Sequence, residues 1–419
     1  MTEQQTEALI ELFVERIQFA NVYFLKQIGS AVERIGKLSP TQAQQLIQIL
    51  KYDGSYDEIV RQISKYTDLN VRDVKKVFEQ YAKQDQLFSK QFYKYRNIPF
   101  VRYEDNEALK RQTRAMVAMV QNEMYNYMRT NVLGYSIRDP QGNLRFLGIR
   151  EVYNSLLDTA YLNVGQGKET FNQALHRILK QIGHSGLKTV DYESGRSVRL
   201  DSAIRMHLRS RLRELHNENQ KLFGEEFDSD GVEISVHLNP APDHEGVQGR
   251  QFSTVKPNEN ELSEWEKLQA GEEAIDYKGN SYTLDHDHKN GYRPISEMNC
   301  YHYIFPIVLG VSEPEYSDQQ LKQIIDSNGQ GFELDGKHYT NYQGTQLQRR
   351  LETEIRKQKD IQILGRESGI EQTVRESQDA ITRLTNKYNK LSKASGLPTK
   401  MQRMRVSGYH RVKVKQNTE

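Results

Sequence analysis

One cysteine, Cys300, stands alone among 419 residues. Such a chain can form no internal disulfide and no zinc module built on several cysteines. Tryptophan is as rare, with one copy, and proline numbers only 10. With so few helix breakers, long stretches can stay helical. No run approaches the roughly 18 apolar residues of a membrane span, and the N-terminal residues lack the apolar core of a signal peptide. The expectation is a soluble protein assembled in a reducing cytoplasm, with no membrane contact. No glycine-rich phosphate loop, nucleophile elbow or paired-carboxylate pattern stands out, so common enzyme classes leave no signature.

What is present is charge, and it is segregated. Hydrophobic residues make up 36% of the chain and charged ones 27%, which predicts a modest buried fraction and an elongated body. The net charge of +2 hides +8 over residues 1–224, −15 over 225–340 and +9 over 341–419. An acidic middle between basic ends predicts distinct contact surfaces that can meet polyanions or acidic proteins.

Periodicity makes the first half helical. Leu9, Phe13, Ile17, Ala20, Phe24 and Ile28 recur at three- and four-residue steps, one stripe on a helix of about 30 residues. Ser39-Pro40 opens a second helix with Ala43, Leu46, Ile47 and Leu50. Two short helices follow, one with Ile59, Val60, Ile63 and Tyr66, one with Val71, Val74, Phe78 and Tyr81 behind an Asn70 cap. A longer helix is predicted from Asn106 to Val132, then a hairpin of Tyr135–Ile137 and Leu144–Leu147 around Asp139-Pro-Gln-Gly142. Helices near 149–161 and 169–182 come next. Asp201 is placed to cap a helix from Ser202 to Phe223, whose apolar side is Ile204, Leu208, Leu212 and Leu215. Its Arg205, His207, Arg209, Arg211 and Arg213 then fall on other faces, either plain solvated surface or a docking face for phosphate or acidic protein.

Beyond residue 224 the periodicity changes. Val232, Ile234 and Val236 alternate as in a strand, Glu261 to Gln269 reads as a short helix, and Tyr301 to Leu309 as a strand. From Gln346 the chain is helical again. Ile370, Val374, Ser377, Ile381, Leu384, Tyr388 and Leu391 mark a coiled-coil-like seam that ends at Gly396-Leu-Pro398. The predicted fold class is mainly α with a smaller α+β domain, elongated and multi-domain. Its parts are an N-terminal helical region (1–95), a helical domain with short hairpins (96–224), an acidic α+β domain (225–340), a long helical segment (341–395) and a basic tail (396–419).

The chemistry-bearing residues gather in the acidic domain. His237-Leu-Asn-Pro-Ala-Pro-Asp-His244 packs two prolines and two histidines into eight residues, which no helix accepts, and Asn299-Cys-Tyr-His302 brings the lone cysteine beside another histidine. His237, Asp243, His244, Cys300 and His302 are candidate zinc ligands by residue type, though their spacing matches no finger pattern. Their alternative role is bracing, with side chains bonding the backbone amides of a proline-rich loop. Gly249, Arg250 and Asn299 are candidate supports of that loop. Asp285-His-Asp-His288 with Asn299 and His302 also has the residue order of the histidine–asparagine–histidine nucleases, in which a histidine activates water beside a divalent ion. Solvated loop side chains explain it more simply. Lys400, Arg403, Arg405, Arg411, Lys413 and Lys415 form a basic tail suited to nucleic acid or an acidic protein.

Several segments in order carry a likeness: Val190-Asp-Tyr-Glu-Ser-Gly-Arg196, Asp201-Ser-Ala-Ile-Arg205, His237…Pro240-Ala-Pro-Asp-His244, Gln248-Gly-Arg250, Phe252-Ser253, Asn299-Cys300, His302 and Phe305-Pro306. This sequence resembles the tailed-phage minor capsid protein 2 family, itself akin to the minor head proteins typified by Mu protein F. The resemblance implies a non-enzymatic virion component in few copies at the portal vertex or inside the capsid, made in the host cytoplasm, that aids head morphogenesis and DNA packaging or ejection. It further implies as partners the portal protein or major capsid protein, packaged double-stranded DNA and further copies of the chain. No cofactor is implied, and zinc enters only through the residue types named above.

Overall fold

A computed structural model describes residues 3–36, 71–127, 133–138, 142–155, 171–190, 197–284, 293–296 and 300–412, with isolated positions between 46 and 65. The predicted second helix and most of the third, the 285–288 segment, Asn299, Lys413 and Lys415 lie outside the described residues. The fold class is as predicted, mainly helical with a smaller α+β part. No helix among the described residues is long and apolar enough to cross a membrane.

The helical part begins with α1 (Glu3–Gly36), α2 (Val71–Tyr95) and α3 (Glu107–Tyr127). On α1 the predicted stripe is buried from Phe13 through Ile17, Ala20 and Phe24 to Ile28, and Ile10, Val14 and Leu25 widen it. That width suits a helix covered on more than one side. Asn106 caps α3 by accepting from the Leu109 amide at 2.9 Å. The predicted hairpin forms as β1 (Leu133–Arg138) and β2 (Leu144–Gly148), and β3 (Lys188–Val190) and β4 (Ser197–Arg199) extend it to an antiparallel sheet ordered β2-β1-β3-β4. Tyr135 on β1 is fully buried, stacks on Phe24 at 5.0 Å and donates to Asn21 of α1.

Between β2 and β4 lies α4 (Phe171–Ser185), and α5 (Leu200–Glu226) follows β4. Ile204, Leu208, Leu212 and Leu215 are all buried, as the sequence predicts. Two expectations for this helix fail. Asp201 does not cap it: the helix starts two residues earlier, at Leu200, with no side-chain cap, and Asp201 is buried in its first turn. Nor do the arginines face solvent. Arg205 makes a two-pronged bond to Glu11 at 2.6 and 2.9 Å, Arg209 pairs with Glu7, Arg211 with Glu214, and Arg213 is buried. Acidic residues of α1 neutralise the basic side of α5, and a period-3.6 pattern does not record such a match between distant helices.

The smaller part is built on β5 (Gly231–Ile234), β6 (Gln251–Ser253) and β9 (Ile304–Ile307), ordered β6-β5-β9 and antiparallel. Between them come α6 (Glu264–Ala270) and the small pair β7 (Ala274–Ile275) with β8 (Ser281–Tyr282). Its core consists of Val232, Ile234, Val247, Phe252, Leu268, Ala274, Leu284 and Ile295. His216 of α5 joins it to the helical part: its ring meets Tyr303 and Phe305 edge-on, while its Nδ1 reaches Asp85 of α2 at 2.6 Å.

The chain returns through α7 (Asp318–Gln330), the hairpin β10 (Phe332–Leu334) and β11 (Lys337–Tyr339), then α8 (Asn341–Glu367) and α9 (Glu371–Ser395). The seven-residue seam packs inside the chain, with Ser377, Ile381, Tyr388 and Leu391 of α9 buried and Tyr388 clustered with Ile355 of α8. Helix α8 also closes onto α4 at Gly183, where a Cβ would lie 2.8 Å from the Cα of Ile361. Ile363 and Leu364 of α8 and Val406 beyond α9 join the same apolar core as α1 and α5.

Candidate functional site

Two segments far apart in sequence meet at the end of the small sheet. The chain leaves β5, runs through His237, makes a 3₁₀ turn over Pro242–His244 and returns to β6. Pro242 begins that turn, where its missing amide costs nothing. The loop closes by the Gly249 amide donating to Ile234 at 2.7 Å and the His237 amide to the Gln248 side chain at 3.2 Å. Gly249 has φ +71°, and a Cβ there would lie 2.5 Å from Leu321, so glycine fits the position twice over. Arg250 pairs with Asp318 at 2.5 Å and lies over the Tyr282 ring. Gly249 and Arg250 thus both lie at the foot of the loop, next to β6.

The segment from Cys300 to Tyr303 is extended but precedes β9. Tyr303 is tied to Ser235 by a bond in each direction, its amide donating at 2.8 Å and its carbonyl accepting at 2.9 Å. This anchor swings Cys300 and His302 under the proline loop. Cys300 Sγ lies 3.4 Å from His244 Nδ1 and 3.4 Å from His302 Nδ1. His244, Cys300 and His302 are buried, and their three ligand-capable atoms fall within 4.8 Å of one another. The ring centres of His244 and His302 are 5.4 Å apart, those of His237 and His302 4.4 Å.

Electrostatics keep these imidazoles neutral. Burial pushes His302 well below its ordinary pKa, and the neighbouring His237 and His244 add to that. His244 is lowered chiefly by burial, with its bond to the Arg293 carbonyl opposing. Asp243 stands outside the cluster: its carboxylate receives two bonds from the Arg293 guanidinium, at 2.9 and 3.0 Å. That clamp holds the Arg293 backbone so that its carbonyl lies 2.7 Å from His244 Nε2.

His237, His244, Cys300 and His302 face a cavity of 680 Å³ whose far wall comes from α8 and the segment beyond α9, including Arg349 and Arg403. Tyr301 sits there among cations. Burial alone would raise its phenol, but Arg209, Arg349, Arg403 and Lys400 outweigh that and bring it down to about 8. Sequence reading could not find this cage, because its arginines come from three separate segments.

The basic tail divides. Arg405 and Arg411 are exposed and Lys400 is half-buried. Arg403 is buried, reaching Glu7 of α1 at 2.5 Å and Glu352 of α8 at 4.0 Å, so it braces the fold and is not free to contact a polyanion. A further buried network ties Arg356 of α8 to Asp201 at 3.0 Å and Arg199 to Asp360 at 3.1 Å. Burial alone would raise Asp201, but Arg356, Arg199 and Arg205 hold it far below the usual carboxylate range. Asp360 goes the other way, pushed up to about 6 chiefly by burial, with Arg199 and more weakly Arg356 opposing.

Comparison with known proteins gives one family. The family described as phage minor capsid protein 2 matches residues 1–392, nearly the whole chain. No curated protein and no solved structure matches the chain. The chain belongs to the phage minor capsid protein 2 family, and is a structural protein of the virion.

Proposed function

We propose, from that membership, that this chain is a minor head protein present in few copies at the portal vertex or inner capsid. There it aids head morphogenesis, holding the portal or major capsid protein on one side and lying close to packaged double-stranded DNA on the other. The observation that carries this reading is the internal neutralisation of the helical part. Arg205, Arg209 and Arg403 are tied to Glu11 and Glu7, which favours a stiff brace over a polyanion-coated surface. The cations at Arg405 and Arg411 are exposed at the end of the described chain, where phosphate contact needs no base reading.

Quantitative mass spectrometry of purified virions tests it. The expected result is peptides of this chain at a small fraction of the major capsid protein's level, cross-linking to the portal. Absence from particles that package DNA normally would overturn the reading. The DNA contact has its own measurement: Arg405→Ala with Arg411→Ala should flatten the salt dependence of DNA binding by about two units of slope.

A further inference from the structure

The site beneath the proline loop has the geometry of a metal centre. We infer that His244, Cys300 and His302 bind one zinc ion, with His237 completing the set. In tetrahedral zinc, bonds of about 2.3 Å to sulfur and about 2.1 Å to nitrogen hold neighbouring donor atoms about 3.5 Å apart. Cys300 Sγ lies 3.4 Å from a ring nitrogen of each of two histidines. Two imidazoles on one such ion place their ring centres about 5 Å apart; those of His244 and His302 are separated by 5.4 Å.

The surroundings are those a ligand set needs. The neutral His244 ring donates from Nε2 to the Arg293 carbonyl, which leaves the Nδ1 lone pair facing Cys300. The Asp243–Arg293 clamp is the outer support that fixes this tautomer. His302 gives the independent sign of a missing partner: the side chain is 1% exposed, and its Nε2 is buried with no hydrogen-bond partner. An orphaned buried nitrogen carries an uncompensated desolvation cost. A cation bound through Nε2, after a flip of the His302 ring, gives that nitrogen its partner; one bound through Nδ1 does not. His237 lies beside His302 at the edge of the 680 Å³ cavity, outside the convergent trio and with Nδ1 against the Leu238 carbonyl, so it becomes the fourth ligand only by turning its ring. One thiolate and neutral nitrogen donors favour a borderline-soft ion such as zinc over magnesium or calcium.

The ion would staple the loop between β5 and β6 to the segment entering β9, as a disulfide would in a chain with more than one cysteine. This inference stands apart from the virion reading, and either can fail alone. The test is metal analysis of the full-length chain purified without chelator, then titrated with zinc chloride. The expected result is one zinc per chain, lost in Cys300→Ser and His302→Ala, retained in Cys300→Asp, and lost faster to a chelator in His237→Ala. Cobalt loaded into the unaltered chain should show a thiolate-to-metal charge-transfer band, a readout that depends on no variant folding. A folded chain that takes up no zinc at equimolar metal, or cobalt binding without the sulfur band, overturns the site. Unchanged chelator resistance in His237→Ala overturns the fourth ligand.

Discussion

The helical part and the small α+β part solve the same problem of holding loosely apolar sequence together by opposite means. The helical part buries a long apolar core from Ile10 to Phe227, joined by Ile363, Leu364 and Val406, and tolerates buried charge because Arg205, Arg209, Arg356 and Arg403 meet acids from other segments. The small part has, among the described residues, an apolar cluster of eight buried side chains, a small core for a unit of its own. It relies on clamped loops: Asp243 with Arg293, Arg250 with Asp318, and the histidine–cysteine cluster. Charge thus serves the large core as a buried lock between helices and the small one as a more exposed staple at its loops.

Breaking that comparison is simplest at its extremes. Arg356→Ala should destabilise the helical part by about 3–5 kcal/mol, since it leaves Asp201 buried with one guanidinium fewer; chemical denaturation reads this directly. In the small part Ile234→Ala, a side chain 0% exposed, should cost about 2–5 kcal/mol. Hydrogen exchange should confine its loosening to residues around β5, β6 and β9, and an equal loosening of α1 would show that the two parts are one cooperative unit. Gly183→Ala should cost about 1–3 kcal/mol by forcing α4 off Ile361, with little change in the small part. Ser317→Ala removes a capping box on α7 and should cost about 1 kcal/mol.

Acid sharpens the contrast. The depressed pKa values of His244 and His302 mean that the folded chain binds fewer protons there than the unfolded one. Their contribution is present above about pH 6.5 and is lost as pH falls below it. Asp360, raised to about 6, works the other way: its cost is relieved as pH falls from about 6 towards 4. Asp201, depressed, gives stability that is lost only as pH falls below about 4. Exchange measured by region on the metal-free chain should therefore show the small part opening between about pH 6.5 and 4 while the helices hold, and the helices following below that. Simultaneous opening would end the distinction.

Local signals reached the elements well. The α1 stripe, the β1–β2 hairpin, the apolar side of α5 and the α9 seam were legible because each repeats within one element's own period. Capping boxes at Ser263–Glu266, Ser317–Gln320 and Thr340–Gln343 were also written in the chain and mark the starts of α6, α7 and α8. In the candidate site, the proline–histidine loop and the Cys300–His302 segment stood out by composition alone. Asp243 and Arg403 did not declare their roles: in sequence Asp243 read as a candidate zinc ligand or loop brace and Arg403 as a polyanion contact, whereas Asp243 is aimed at Arg293 and Arg403 at Glu7.

What the sequence by itself determined is the longer helices, the β1–β2 hairpin and the β5 strand, the single-thiol chemistry, and membership in a family of capsid proteins. Which charges are buried, which arginines are neutralised, and that Cys300 lies between His244 and His302 were decided only by the tertiary structure. The physical reason is range. Side-chain periodicity is fixed by backbone geometry over a few residues, whereas ion pairing and ligand convergence depend on which distant segments the core brings within about 4 Å.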